Sequence, residues 1–202
     1  MSRVISKLSI PEGITVKISG SSQDMNDSFK SLFSALLLGI CLIYLVMVAQ
    51  FGSFLEPFII MFAIPFAVIG AVWALFLTGN PFGVMPFIGL ILVTGISVKN
   101  TIVLVDFINI LRARGIEIKE AILEAGKTRL RPILMTSLTT TLGLMPIIFG
   151  TGEGSGFWKT MAIAVVGGLV VSLSISLIFV PTLYYVIEES KTKRENSRKG
   201  TK

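Results

Sequence analysis

Five stretches of this chain are too apolar and too long to be left in water. They run from about residue 31 to 49, 57 to 77, 86 to 111, 132 to 149 and 160 to 187. A helix needs roughly 20 such residues to cross the hydrocarbon core of a bilayer. With 52% hydrophobic and only 15% charged residues in 202, the sequence predicts an integral membrane protein. Its fold class is all-α, a five-helix transmembrane bundle. Pro57, Pro86 and Pro132 stand where helices should start, because a first-turn N–H has no intrahelical partner to lose. Pro65, Pro146 and Pro181 fall inside the runs and should kink or end helices.

Charge sets the expected orientation. The stretch 112–131 and the tail after Glu189 together hold 12 of the 18 Lys and Arg residues, and the two spans between them return the chain to the same side. The positive-inside rule makes that side cytoplasmic, with a basic tail at 190–202 and the N-terminus outside. The +6 net charge is mainly this bias, so it does not point to nucleic acid. No basic segment followed by an apolar one marks a signal peptide in residues 1–30. Residues 13–19 alternate around Ile14, Val16 and Ile18 as a short strand would, too short to fold alone. An exported N-terminus and an unpaired strand are both expected of the C-terminal piece of a longer protein. A complete small protein oriented by charge alone is the other reading.

Several functions are excluded by composition. There is no histidine, and Cys41 has no partner for an intramolecular disulfide. No nucleophile–base pair or metal cluster is apparent, so an enzyme is not expected. Gly152–Gly156 looks superficially like a phosphate loop but lacks the Lys-Ser/Thr that should follow.

Polar residues inside the runs are the informative ones. Lys99 lies midway along the third run, beyond snorkelling reach of either end. A lysine at that depth costs about 2.5–3.5 kcal/mol on insertion scales, and such residues commonly mark ion or proton paths. A static ion pair that fixes packing is the alternative. Asp106, seven residues on, shares its face but sits about 10.5 Å along the axis. That is too far for contact, so the partner of Lys99 is expected outside this chain; Asp106 itself can be interfacial. Asn100 can bridge helices or hold a water. Arg129 and Arg131 can simply anchor the fourth span, but Arg129 shares a face with Thr136. Five hydroxyls crowd residues 136–141, where bonding back to the preceding turn competes with a hydrated path toward the membrane centre. Small residues at four-residue spacing, Ala63, Ala67 and Ala71 on the second span and Ala164, Gly168, Ser172 and Ser176 on the fifth, predict close helix packing. Ile118, Ala121, Ile122 and Ala125 suggest a short amphipathic helix on the membrane surface.

These segments resemble the resistance–nodulation–division efflux transporters, in the acriflavine-resistance (AcrB-like) branch. The run FKSLFSALLLGICLIYLVMVAQFGSFLEPFIIMFAIPFAVIGA is similar to the family's eighth and ninth transmembrane helices. GLILVTGISVKNTIVLVDFINILRARG resembles the tenth, AILEAGKTRLRPILMTSLTTTLGLMPI the connector and eleventh, and GEGSGFWKTMAIAVVGGLVVSLSISLIFVPTLYY the twelfth. PEGITVKISGSSQDMNDSF resembles the last segment of the periplasmic porter domain, so residues 1–28 would end that domain and 29–189 would form half of the transmembrane domain. The resemblance implies a trimeric proton antiporter of the bacterial inner membrane, driven by the proton-motive force without a cofactor. It implies partnership with the lipid bilayer, the N-terminal part of the same pump, a periplasmic adaptor and an outer-membrane channel. It places Lys99 and Asn100 in a proton relay that also uses two aspartates absent here, and Arg129 and Thr136 on the proton path. The implied cargo is hydrophobic or amphiphilic. A non-transporting scaffold or remnant, and a superfamily member exporting lipid or assisting protein export, remain the alternatives.

Overall fold

A computed structural model describes residues 21–152 and 154–199, all of them in helices and short connections. The helices are α1 (Ser21–Phe51), α2 (Leu55–Met61), α3 (Ala63–Leu77), α4 (Val84–Ala113), α5 (Ile118–Phe149) and α6 (Ser155–Lys199). Five stretches are long and apolar enough to cross a membrane, with α2 and α3 sharing the second. The strand expected at residues 13–19 lies outside the described residues.

Proline explains the broken second span. Pro57, Pro65 and Pro86 are each the third residue of a helix, where the absent N–H costs no ladder bond. Because Pro65 cannot donate back to the carbonyl at position 61, the span divides at Phe62. Pro132 corrects the expectation. It lies inside α5, which runs unbroken from Ile118, so the connector is no separate surface helix. Ala121 and Ala125 are fully buried, and Ile118 and Ile122 pack on the same core cluster. That apolar stripe therefore covers protein rather than lipid. Pro146 and Pro181 likewise sit within helices that continue past them, and α6 carries on through residues 190–199 of the basic tail.

Helix α6 is central and packs on α3, α4 and α5, while α1 lies at the edge against α2 and α4. The expected small-residue faces meet there. Ala63, Ala67 and Ala71 are fully buried, as is Ala164, and Ser172 is 1% exposed. At Gly167 an added Cβ would overlap the Cβ of Ala74, and at Gly70 it would stand 2.6 Å from that of Val171. The backbones of α3 and α6 are in contact, which only small residues permit. Gly115, at φ +85, turns α4 into α5 and makes these two an antiparallel hairpin. This turn lies at the end of the bundle that carries the basic connector, its basic end.

Leu37, Leu38, Leu42, Leu45 and Val46 of α1 are all more than half exposed. A water-facing protein does not display such a contiguous apolar surface; in a bilayer it costs nothing.

Candidate functional site

The register between helices fixes the depth of each polar residue. Tyr184 of α6 donates a 2.6 Å hydrogen bond to Asn109 of α4, 75 positions away. Near the other end of α4, an added Cβ on Gly89 would meet Ala164, at the same offset. Helices α4 and α6 are thus parallel and hold one register over five turns. Ser97 lies level with Ser172, and Thr101 with Ser176.

The α4–α5 register comes from a stacked cation. The Arg129 guanidinium lies 4.4 Å from the ring centre of Phe107, within the range of a cation–π contact. Counting seven residues back along α4 and seven forward along α5 reaches Asn100 and Thr136. Each therefore lies about 10.5 Å along its own helix from the Phe107–Arg129 stack, within about a turn of the other, and Ile133, just before Thr136, lines the same cavity as Asn100. Lys99 adjoins Asn100, 15 residues from Val84 and 14 from Ala113.

Lys99 is exposed, and no carboxylate pairs with it among the described residues. Ser97 and Thr101, two positions to either side, are buried against α6. A two-residue step turns about 200° around a helix, so Lys99 points away from α6. Asn100 is half-buried and reaches a small internal cavity between α4, α5 and α6. Asp106 is half-buried and lies off the stripe of buried residues that faces α6. The Thr136 hydroxyl bonds to the Ile133 carbonyl at 3.0 Å, and Thr139 and Thr140 bond back similarly at 2.8 and 2.9 Å. Local back-bonding thus occupies three of the five clustered hydroxyls. Ser137 is different: its Oγ is buried without a partner, as is the Arg129 Nε. Lys99, Asn100 and Thr136 thus lie within about a turn of one level, with Arg129 two turns nearer the basic end.

A second polar group was not foreseen from the sequence. At the basic end the Asn109 amide donates 2.8 Å to Glu56 of α2 while accepting from Tyr184. One turn on, Arg112 pairs with Glu188 at 2.6 Å and also interacts with the Tyr184 hydroxyl. Three spans are clasped by five side chains. Asn109, ten residues beyond Lys99 in the same apolar run, was the available signal. Its partners lie 53 and 75 residues away, a pairing no local pattern encodes.

Comparison with known proteins agrees with this architecture. Residues 1–188 match the AcrB/AcrD/AcrF family. The chain is 41% identical over 191 residues to the swarming motility protein SwrC of Bacillus subtilis, covering 94% of this chain and 18% of that protein. It is 33% identical over 192 residues to the multidrug resistance protein MdtC of Erwinia amylovora, covering 95% and 19%. Crystal form II of a heavy metal efflux pump superposes with a TM-score of 0.76 at 28% identity, over 88% of this chain and 18% of that one. The chain thus spans about a fifth of the length of these relatives. With a match across nearly its whole length and five spans in the same arrangement, the chain belongs to the AcrB/AcrD/AcrF family of resistance–nodulation–division proteins.

Proposed function

We propose that this chain serves as the C-terminal membrane portion of a proton-driven efflux permease, with Lys99 as the charge that couples proton movement to transport. The observation that carries this reading is the placement of Lys99: mid-membrane, turned away from its own bundle, and without a carboxylate among the described residues. Burying an ammonium in hydrocarbon costs several kcal/mol unless a counter-charge meets it. The exposed side of α4 is where a second set of spans from the same pump would supply one.

The mechanism follows from electrostatics. An unprotonated acid facing Lys99 holds the ammonium by Coulomb attraction, strong where the surroundings exclude water. Protonation removes that attraction, the side chain reorients, and α4 shifts relative to the facing spans. Asn100 steadies the lysine from the adjacent position, and Arg129 and Thr136 bring the path from the basic end to about the same depth. The basic end faces the cytoplasm of a bacterial inner membrane, where the positive-inside rule puts it. The working assembly is a homotrimer joined to a periplasmic adaptor and an outer-membrane channel. Proton-motive force replaces any cofactor.

The cargo is hydrophobic or amphiphilic, a reading supported by the likeness to MdtC, a multidrug resistance protein. Metal export is the competing reading, because the superposed structure is a heavy metal efflux pump.

The test uses inverted membrane vesicles containing the chain with the rest of its pump. Proton flux is followed while a cationic amphiphilic dye or a divalent metal salt is supplied. Lys99→Ala should reduce cargo-dependent proton flux to background at unchanged expression. Full flux in Lys99→Ala would refute the coupling role, and flux stimulated by metal but not dye would transfer the cargo to the metal class.

A further inference from the structure

The cavity beside Asn100 has an unusual lining for the middle of a membrane. Its volume is about 20 Å³. Ser97, Asn100 and Thr101 line it from α4, Ser172 and Ser176 from α6, with Ile133, Leu169 and Leu173 among the apolar remainder. Ser97, Thr101, Ser172 and Ser176 are 6%, 3%, 1% and 8% exposed. The Thr101 hydroxyl is spent on the Ser97 carbonyl at 3.0 Å. The Ser176 Oγ is buried with no hydrogen-bond partner.

An orphaned hydroxyl in an apolar interior has given up its water without a replacement bond, so such an atom calls for a partner. A site roughly 10–15 Å³ in volume is enough for one water, provided two to four polar groups surround it. This cavity meets both conditions, and it has no carboxylate to hold a metal cation. We propose that it is a single-water site, in which the water bonds the Ser176 hydroxyl, the Asn100 amide and the hydroxyls of Ser97 or Ser172. The water fixes the Asn100 amide from the α6 side while Lys99 stands on the opposite side of α4. Ser172 and Ser176 are thus positioning residues for the lysine site. This inference rests on the coupling role given to Lys99 above.

Valine at position 176 or 172 adds a methyl group that fills the cavity, whereas alanine leaves the space open and removes one hydrogen-bond partner. In the same vesicles, Ser172→Val and Ser176→Val should each slow proton-coupled transport about tenfold, with KM for the dye unchanged and the pH–rate profile displaced. Ser176→Ala should lose no more than about threefold, since the water keeps its other partners. Unchanged rate and pH profile in the Ser172→Val/Ser176→Val double variant would overturn the inference. Should the valine variants fail to assemble, an experimental map of the intact pump decides. A solvent peak within hydrogen-bond distance of Ser176 Oγ and the Asn100 amide supports the site. A closed cavity with Ser176 bonded to the Ser172 carbonyl rejects it. Lys99→Ala separates the two claims: if it transports normally the coupling role fails, and the map alone then decides whether the water is there.

Discussion

Replacing Asn109 should show how much the clasp at the basic end contributes. Asn109→Leu removes the 2.8 Å bond to Glu56 and the 2.6 Å bond from Tyr184 together. Tyr184 is 4% exposed, so its hydroxyl would lose its acceptor in the protein interior. An unsatisfied buried group costs about 1–3 kcal/mol, and a bond to a charged group is worth about 1.5–3. Two circumstances lower the total. Tyr184 keeps its interaction with Arg112, and Glu56 is only half-buried, so water can reach it. Interhelical hydrogen bonds in a membrane protein average about 0.6 kcal/mol with a maximum near 1.7. The expected loss is therefore about 2 kcal/mol for Asn109→Leu and about 0.6–1.5 for Tyr184→Phe. Reversible unfolding in mixed micelles, followed by tryptophan fluorescence, measures both. The double variant should be less destabilised than the sum by roughly 1 kcal/mol, because removing both partners leaves neither orphaned. Coupling under about 0.3 kcal/mol would falsify the argument that these side chains act as a pair.

Two further outcomes use the same assay. Gly167→Ala should cost about 1–3 kcal/mol by forcing α3 and α6 apart, and Ala74→Gly on that background should recover part of the loss despite its own helix penalty. A cycle between Phe107→Leu and Arg129→Gln should give about 0.5–1 kcal/mol of coupling, with Phe107→Tyr close to wild type; zero coupling would mean the stack has no energetic content.

The spans were legible because a bilayer demands long apolar runs, and nothing in water competes with that signal. The small-residue faces were legible for a related reason: in lipid, helices approach closely only where side chains are small. Lys99 stood out by its cost at mid-membrane. Pro132 reads as a helix start because a proline at the end of a basic connector looks like a start signal. Tertiary packing of Ala121, Ala125 and Ile133 instead holds one helix through it. Packing of an amphipathic stripe routinely outweighs a local breaker in this way. The Phe107–Arg129 stack and the Glu56–Asn109–Tyr184 chain depend on inter-helix register, which composition and periodicity do not contain. The single-water cavity was foreshadowed only as one capacity of Asn100; its serine wall came from the parallel alignment of α4 and α6.

The fixed offset between those two helices also governs which length changes the chain can tolerate. Deleting one residue from α6 between Ala164 and Tyr184 would turn everything beyond it by about 100° and draw it back about 1.5 Å. Either the contact of Gly89 with Ala164 or the bond between Asn109 and Tyr184 would survive, never both. The Gly150–Gly154 connection lies outside the paired stretch and has no such restriction. Natural or engineered insertions should therefore accumulate in that turn and be missing from the twenty residues after Ala164, a pattern set by geometry alone.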